Sequence, residues 1–365
     1  MALTPQETAR YQRHLSLPGF GPAAQEKLKS ASVLVVGAGG LGCPALLYLA
    51  AAGVGRIAVV DPDRVDASNL QRQVLYTGED VGVNKAEAAA RRLRLLNPLI
   101  RIDAHPVRLD RANALELVRP CDLVVDGSDN FATRYLVNDA CAIAGRPFVY
   151  GAIQGFEGHV SVFNWKGGPT YRCLFPEPPK PGTVPSCAEA GVLGAVTGLI
   201  GTAQACEAIK VLAVIGQPLS GRLLVWNALT MAFSTLGLRR DPAARPITEL
   251  PEEGYGENCG APGTPDEIDR DGLRRMMREG ERVQLLDVRE DWERESAAIE
   301  PSLHVPLWRL ENSAASDLAP FDPSVTTVVY CAAGVRSLRG IRILRERHGY
   351  RSALSLRGGM RDWEQ

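Results

Sequence analysis

A glycine-rich turn between two apolar runs is the first stretch of this chain with residue types and spacing suited to chemistry. Residues 33–36 are apolar and lead into the sequence GAGGLG at 37–42, and a second apolar run at 57–60 ends at Asp61. Glycines in such a turn let backbone N–H groups approach phosphate, and an acid at the tip of the second strand can accept hydrogen bonds from ribose hydroxyls. The spacing therefore predicts a nucleotide-binding strand, turn, helix and strand, with Gly40 and Asp61 in the site.

A dense polar segment just past the second run narrows the choice of nucleotide. A glycine motif followed by an acid most often binds NAD or FAD, and a dinucleotide fold needs no further amide and guanidinium donors at that place. A triphosphate does need them, because its charge must be neutralised. The segment supplies Ser68, Asn69, Leu70, Gln71, Arg72 and Gln73. These residues therefore indicate ATP.

Lys85 and the pair Asp129 and Asn130 are further candidates for this site. Lys85 lies in the first turn of a helix predicted over 84–97, where a cation is unfavourable against the helix dipole unless an anion lies opposite. Asp129 and Asn130 follow a strand predicted at 122–126, and ligands bind at the carboxyl ends of parallel strands. The alternatives are an ordinary surface lysine and a helix N-cap, and a cap is compatible with a ligand contact.

A second set of reactive residue types lies near the C-terminus. A strand predicted at 327–330 is followed by Cys331, and Arg336 comes where a helix is predicted to begin. Successive backbone N–H groups in such a turn can hold an anion, and the helix N-terminus and Arg336 both favour thiolate over thiol. This pattern predicts a nucleophile that carries sulfur as a persulfide. A cysteine phosphatase loop would place five residues between Cys and Arg, whereas four occur here; a buried structural cysteine is the other alternative.

Length, charge and cysteine content limit the number of domains, the classes of partner and the cellular compartment. The 365 residues suffice for two or more domains, and the net charge of −1 gives no strong field for nucleic acid or a membrane. The most apolar stretch, 192–203, covers half a membrane span and is predicted to be a buried helix. Eight scattered cysteines fit a reducing cytoplasm, and Cys43, Cys121, Cys141 and Cys206 are predicted to be core residues.

The elements around these residues predict an α/β fold in two domains. A Rossmann-like domain at 1–240 should have a mostly parallel sheet plus an antiparallel C-terminal part, and a small α/β domain should occupy 265–365 after a linker at 241–264. Predicted strands lie at 33–36, 57–60, 100–107, 122–126, 147–153, 157–165, 222–238, 283–287 and 327–330, and predicted helices at 7–14, 44–53, 84–97, 131–144, 192–216 and 271–279. A long loop without periodicity at 173–190 is predicted to be functional and contains Cys187.

Residues 10–260 resemble the MoeB/ThiF family, relatives of the ubiquitin-activating enzymes, on the glycine turn and on the segment 61–73. The resemblance implies adenylation of the C-terminal glycine of a ubiquitin-like sulfur-carrier protein that ends in Gly-Gly. It implies Mg²⁺ on Asp129 and catalytic roles for Arg72 and Lys85. The implied ATP contacts are Gly40, Asp61, Ser68, Asn69, Leu70, Gln71, Arg72, Lys85, Asp129 and Asn130.

The same resemblance implies contributions from two residues outside those motifs. Family members form homodimers in which the arginine of a Tyr-x-Arg motif, here Arg13, reaches the neighbouring subunit's ATP. Their crossover loop carries a cysteine, here Cys187, that forms a thioester or a disulfide. Many relatives also hold zinc with two Cys-x-x-Cys pairs, whereas this chain keeps only Cys173 and Cys259 of the four thiolates, so zinc is not expected.

Residues 265–365 resemble a single rhodanese (sulfurtransferase) domain. The resemblance rests on Asp-Val-Arg at 287–289, on Cys331-x-x-Gly-x-Arg-Ser and on Gly-Gly-Met-x-x-Trp at 358–363. The whole architecture resembles the bacterial MoeZ-like fusions, which implies that a Cys331 persulfide converts the carrier's acyl-adenylate to a thiocarboxylate in molybdenum-cofactor or related biosynthesis. The implied sulfur donor is a cysteine desulfurase or thiosulfate.

Other classes of function remain open from the residues alone. An NAD-linked oxidoreductase with a sulfurtransferase tail is disfavoured by the polar segment 68–73 and by Lys85. An enzyme that adenylates RNA is disfavoured by the near-neutral charge. A non-catalytic scaffold is disfavoured by the intact set of polar ATP residues.

Overall fold

The computed structural model describes residues 2–178, 191–242, 246–252, 255, 266–312 and 318–363. The chain divides into two compact units, Met1–Glu257 and Asn258–Gln365. Each unit has its own β-sheet and its own buried apolar clusters.

An eight-stranded sheet forms the N-terminal unit. Its strands are β1 (Ser32–Val36), β2 (Arg56–Val60), β3 (Arg101–His105), β4 (Leu123–Asp126), β5 (Phe148–Gln154), β6 (Glu157–Phe163), β7 (Arg222–Asn227) and β8 (Ala232–Gly237). In the order β3-β2-β1-β4-β5-β6-β7-β8, neighbours from β3 to β5 are parallel and neighbours from β5 to β8 are antiparallel. The predicted mixed sheet is thus confirmed, except that the stretch 222–238 forms two strands rather than one.

Helices cover this sheet and carry several of the candidate residues. They are α1 (Pro5–Arg10), α2 (Gln12–Leu15), α3 (Gly21–Ser30), α4 (Gly42–Ala52), α5 (Lys85–Leu96), α6 (Ala114–Val118), α7 (Phe131–Ala144) and α8 (Gly194–Ala213). The helix predicted at 7–14 is interrupted at Tyr11, the residue between α1 and α2.

Helix α8 is the longest apolar helix of the described residues, and its environment explains its composition. By length and hydropathy it could span a membrane, but half of its apolar window is buried inside the protein, where it packs on α4, β5 and β6. The stretch predicted to be a buried helix is helical from Gly194 onward and is half-buried. The prediction that Cys206 on this helix is a core residue is wrong, because its side chain is exposed, whereas Cys43, Cys121 and Cys141 are buried.

The strand order creates a crevice between β1 and β4. The chain moves outward from β1 to β2 and β3 on one side, and from β4 to β5 on the other. Open α/β sheets bind ligands outside the carboxyl ends of strands at such a reversal. Gly37 has a φ of +86°, and a Cβ on it would lie 2.8 Å from the carbonyl oxygen of Gly127. The turn after β1 and the loop after β4 therefore meet by direct backbone contact.

The C-terminal unit contains a parallel five-stranded sheet in the order β11-β10-β12-β13-β9. Its elements are β9 (Glu267–Ile268), α9 (Arg270–Arg278), β10 (Val283–Asp287), α10 (Asp291–Ser296), β11 (Leu303–His304), α11 (Leu307–Asn312), β12 (Thr326–Tyr330), α12 (Val335–His348), β13 (Ala353–Leu356) and α13 (Gly359–Trp363). Since the strands are parallel, the turns after β10 and β12 lie at the same edge of the sheet. The second, small α/β fold predicted from the sequence is confirmed.

A buried carboxylate fixes the segment that leads into α5. The Asp80 side chain is fully buried, accepts the Thr77 N–H at 2.8 Å and pairs with Arg91 and, at 2.8 Å, with Arg92. Burial alone would raise the pKa of Asp80, but the hydrogen bonds from Thr77 and the two arginines hold it below its usual range. These bonds anchor residues 77–84 on the helix that carries Lys85.

Replacing this carboxylate tests how much the anchor stabilises the unit. Asp80→Asn should lower the free energy of unfolding by about 2 kcal/mol at neutral pH, since it removes the charge from a buried, hydrogen-bonded cluster. Because the pKa is depressed in the folded state, the charge contributes above the ordinary carboxylate pKa, and its contribution is lost as the pH falls through the folded value. Chemical denaturation at several pH values measures both effects.

The neighbouring Glu79 provides a matched control. Its side chain is 89% exposed and its carboxylate lies 3.7 Å from Arg92, so Glu79→Gln should leave stability nearly unchanged. Equal losses in the two variants would contradict the anchoring role of Asp80.

Candidate active sites

Asp61 and the glycine turn are joined by backbone hydrogen bonds. The Ala38 N–H donates to Asp61 Oδ2 at 2.8 Å, and the Asp63 N–H donates to Oδ1 at 2.9 Å. Burial raises the pKa of Asp61, and the nearby Lys85 opposes that rise. Each carboxylate oxygen keeps a further lone pair, so Asp61 is held rigidly and can still accept a hydroxyl.

Packing, as well as the predicted ligand contact, explains why residue 40 is a glycine. A Cβ on Gly40 would lie 2.9 Å from Thr197 Cγ2 on α8. The residue therefore lets the turn approach α8 closely, which a larger residue would prevent.

Lys85 is buried and already has an anionic partner in its own chain. Its Nζ lies 2.9 Å from Asp63 Oδ2, whose side chain is largely exposed. Asn84 caps α5 and donates through Nδ2 to the carbonyls of Asp61 and Asp63, at 3.1 Å each. The anion expected opposite Lys85 is therefore the carboxylate of Asp63, at the edge of the same site.

Two buried residues lie near the turn: Tyr76, which was not assigned a role from the sequence, and Gln73, the last residue of the polar segment. Tyr76 Oη lies 2.8 Å from the Ala38 carbonyl oxygen and 3.1 Å from that of Lys85, so one hydroxyl links the glycine turn to α5. Gln73 Nε2 would lie 3.7 Å from a Cβ on Gly39, and Gln73 Oε1 has no hydrogen-bond partner among the described residues. A buried, unsatisfied acceptor beside a glycine turn fits a site that receives a polar ligand. The Gln73 position within the polar segment was the available sequence signal.

The polar segment itself forms a short 3-10 turn, Ala67–Asn69, on the rim of this site. Asp66 fixes the turn by accepting the Ser68 N–H at 2.8 Å and the Ser68 hydroxyl at 2.6 Å. Arg72 is partly exposed, and its Nη1 lies 3.3 Å from the Ser68 carbonyl oxygen. The other members are Asn69 and Leu70, which are partly buried, and Gln71, which is exposed.

Asp129 and Asn130 lie on the opposite side of the crevice, in the loop between β4 and α7. Both are exposed, and Asn130 caps α7 by accepting the Thr133 N–H at 2.8 Å. The loop is held from below by the buried Asp126, whose Oδ1 accepts the Ser128 hydroxyl at 2.6 Å. Asp129 is therefore presented to solvent on a rigid base, next to the glycine turn.

The described part of the structure does not place some of the predicted residues at this site. Arg13 is exposed on α2, and Cys187 and Cys259 lie outside the described residues. Cys173 Sγ lies 3.5 Å from Thr170 Oγ1 and also accepts the Thr170 N–H. No group of three or more His, Cys, Asp or Glu side chains in the described ranges is arranged to hold a metal.

In the C-terminal unit, Cys331 sits at the bottom of the turn between β12 and α12. It is 1% exposed, and its Sγ accepts the Gly334 N–H at 3.2 Å. Gly334 has a φ of +87° and is the N-cap of α12. The predicted strand-to-helix turn is present, and one of its backbone N–H groups, that of Gly334, points to the sulfur.

Arg336 follows in the first turn of α12, but its guanidinium is occupied by a partner that the sequence did not indicate. Its two terminal nitrogens lie 2.7 and 2.6 Å from the carboxylate of Glu293 on α10. The hydrogen bond with Glu293 raises the pKa of Arg336. Burial would raise the pKa of Glu293, but the bond with Arg336 lowers it. The charge of Arg336 is therefore largely compensated beside the sulfur.

Both units match protein-family models. Residues 11–245 match the ThiF family, and residues 269–365 match the rhodanese-like domain. The probable adenylyltransferase/sulfurtransferase MoeZ of Mycobacterium tuberculosis is 46% identical over 379 residues, covering 99% of this chain and 94% of that protein. Adenylyltransferase and sulfurtransferase MOCS3 of Sus scrofa is 41% identical over 396 residues, covering 99% and 86%.

The N-terminal unit also has relatives of its own. The sulfur carrier protein adenylyltransferase of Thermus thermophilus is 59% identical over 247 residues, covering 66% of this chain and 91% of that protein. Among solved structures, E. coli MccB with ATP superposes with a TM-score of 0.58 at 24% identity, covering 65% of this chain and 74% of MccB, which establishes a shared fold. The chain therefore belongs to the ThiF family, with a rhodanese-like domain following its ThiF domain.

Proposed function

We propose that this enzyme adenylates the C-terminal glycine of a ubiquitin-like sulfur-carrier protein with ATP, and then supplies sulfur from a Cys331 persulfide to give a thiocarboxylate. The observation that carries the proposal is that one chain holds a polar glycine-turn crevice in a ThiF domain and, in a rhodanese-like domain, a buried cysteine that accepts a backbone N–H at the start of a helix. The names of the MoeZ and MOCS3 relatives, adenylyltransferase and sulfurtransferase, support both halves.

In the adenylation half, the residues of the crevice bind ATP and neutralise its charge. The carrier's C-terminal carboxylate attacks the α-phosphate and pyrophosphate leaves; the carboxylate is already ionised, so no general base is needed. Lys85 and Arg72 stabilise the charge that develops on the phosphates. The proposed ATP contacts are Gly40, Asp61, Ser68, Asn69, Leu70, Gln71, Arg72, Lys85, Asp129 and Asn130.

To stabilise the phosphates, Lys85 must exchange its partner Asp63 for a phosphate group. In the structure its Nζ pairs with Asp63, whose largely exposed carboxylate is well solvated once released. A phosphate offers more charge than one carboxylate, so exchange of Asp63 for phosphate is favourable when ATP binds.

Asp129 is the proposed Mg²⁺ ligand. A single exposed carboxylate fits Mg²⁺, which keeps several waters and uses one or two carboxylates together with substrate phosphates. Bound there, Mg²⁺ supplies charge neutralisation for the triphosphate.

The sulfur half uses Cys331 as carrier of a sulfane sulfur taken from a cysteine desulfurase or from thiosulfate. The persulfide anion is stabilised by the turn that carries the Gly334 N–H and by the N-terminus of α12. The outer sulfur of the persulfide attacks the acyl-adenylate carbonyl and AMP leaves. A second thiol then breaks the resulting S–S bond, which releases the thiocarboxylate and leaves a disulfide with Cys331. Assistance by Cys187, which lies outside the described residues, stays a prediction from the family resemblance.

The proposed setting is a cytoplasmic homodimer. All six described cysteines are free, which supports a reducing compartment. Arg13 is exposed on α2 and so is available to contact a second subunit. No membrane or nucleic-acid partner is proposed.

The two halves can be separated by replacing the thiol. Cys331→Ala should abolish sulfur transfer to the carrier while leaving carrier-dependent ATP–pyrophosphate exchange within about twofold of wild type, because the ATP residues lie in the other unit. The exposed thiol of Cys206 gives the control, and Cys206→Ala should keep both activities. Parallel loss of exchange and sulfur transfer in Cys331→Ala would contradict separate roles.

The metal assignment can be tested with an isosteric change. Asp129→Asn should lower the exchange rate at least about 100-fold at a fixed Mg²⁺ concentration, since it removes the charged ligand. Raising Mg²⁺ should recover part of the loss. The control is Asp271→Asn, which removes another exposed carboxylate, from the other unit. A wild-type rate in Asp129→Asn, with an unchanged Mg²⁺ dependence, would remove Asp129 from the site.

A further inference from the structure

Two buried serine hydroxyls lie near the sulfur of Cys331, and the proposed function gives neither of them a role. Ser337 Oγ is 3.6 Å from Cys331 Sγ, and Ser355 Oγ on β13 is 2.8 Å from Ser337 Oγ. Both serines are fully buried. The three side chains therefore form a line from the interior of the unit to the reactive sulfur.

A buried thiolate needs hydrogen-bond donors, because burial penalises its charge. The Gly334 N–H is one donor, at 3.2 Å. Arg336 is a weaker source of stabilisation than the sequence suggests, since both of its terminal nitrogens are bound to Glu293. A further donor at the sulfur thus has a large effect in this site.

We propose that Ser337, oriented by Ser355, is the side-chain donor that stabilises the thiolate form of Cys331. This inference rests on the proposed function in taking the thiolate as the nucleophile of the loading step. In that step the thiolate attacks the sulfane sulfur of the donor, a new S–S bond forms, the donor's S–S bond breaks, and the electron pair leaves with the donor's thiolate or sulfite.

The distances allow two arrangements of the hydroxyl protons. With a neutral thiol, the Cys331 S–H donates to Ser337 Oγ, and the Ser337 hydroxyl donates to the Gly334 carbonyl at 2.9 Å. With a thiolate, the Ser337 hydroxyl turns to the sulfur, and Ser355 donates to Ser337 Oγ or to the Gly334 carbonyl at 3.3 Å. The thiol proton leaves to solvent, and the hydroxyl protons only rotate. Ser355 thus either strengthens the Ser337 donor or replaces it at the carbonyl.

Charged groups from the neighbouring elements also face this loop. Arg336 comes from α12 and Glu293 from α10, and the Arg289–Asp287 pair lies at the end of β10. The Asp362 carboxylate of α13 lies against Gly358. Serine substitutions leave all of these charges in place, so a change in thiolate formation can be assigned to the hydroxyls.

The test follows the alkylation of Cys331 by iodoacetamide against pH, read on the peptide that contains it by mass spectrometry. In Ser337→Ala the pH of half-maximal alkylation rate should rise by about one unit, the size expected for one hydrogen bond to a charged group. Ser337→Thr, which keeps a hydroxyl, should restore most of the wild-type pH dependence. Ser355→Ala should give a smaller rise, and Ser324→Ala, an exposed serine outside the turn, should give none.

The outcomes separate this inference from the proposed function. An unchanged profile in folded Ser337→Ala would overturn the role of the hydroxyl; should that variant fail to fold, an unchanged profile in Ser355→Ala does so. A shifted profile in a protein that transfers sulfur from no donor would support the hydroxyl chain and reject the sulfurtransferase reaction.

Discussion

The adenylation unit depends on the close backbone contact between the turn after β1 and the loop after β4. A Cβ on Gly37 would lie 2.8 Å from the Gly127 carbonyl oxygen, and its φ of +86° is one that other residues rarely adopt. This contact joins the two halves of the sheet at the point where the strand order reverses. It places Asp61 and Lys85 on one side of a single crevice and Asp129 on the other.

Parallel strands also bring the candidate residues of the smaller unit together. The carboxyl ends of β10 and β12 share an edge, so that the helix after β10 supplies Glu293 and the turn after β12 supplies Cys331 and Arg336. The sulfur is buried, accepts the Gly334 N–H and lies 3.6 Å from the Ser337 hydroxyl oxygen, whereas the nearby Arg336 is paired with Glu293. The Gly334 N–H is fixed by the fold and needs no rearrangement when charge develops, whereas the proposed Ser337 donor has to rotate toward the sulfur.

The sequence predicted the elements with strong local signals. The glycine turn, the helix begun by Asn84, the helix capped by Asn130 and the loop around Cys331 are all encoded within a few residues, and the structure has them. The pairs Asp63–Lys85 and Glu293–Arg336 were not predicted, because their partners are 22 and 43 residues apart and no local pattern specifies them. Strands β9 and β11 have two residues each, too few for a periodic signal. The exposure of Cys206 was missed because α8 is apolar on nearly every side, so its sequence does not mark the face that meets solvent.

The most direct test of the central claim is ATP–pyrophosphate exchange in the presence of a panel of ubiquitin-like carrier proteins that end in Gly-Gly. The account predicts exchange that requires one particular carrier and is lost when that carrier's terminal glycine is removed. Silence with every carrier, in protein that binds ATP, would contradict it and would direct attention to an RNA or another carboxylate as the group that is adenylated.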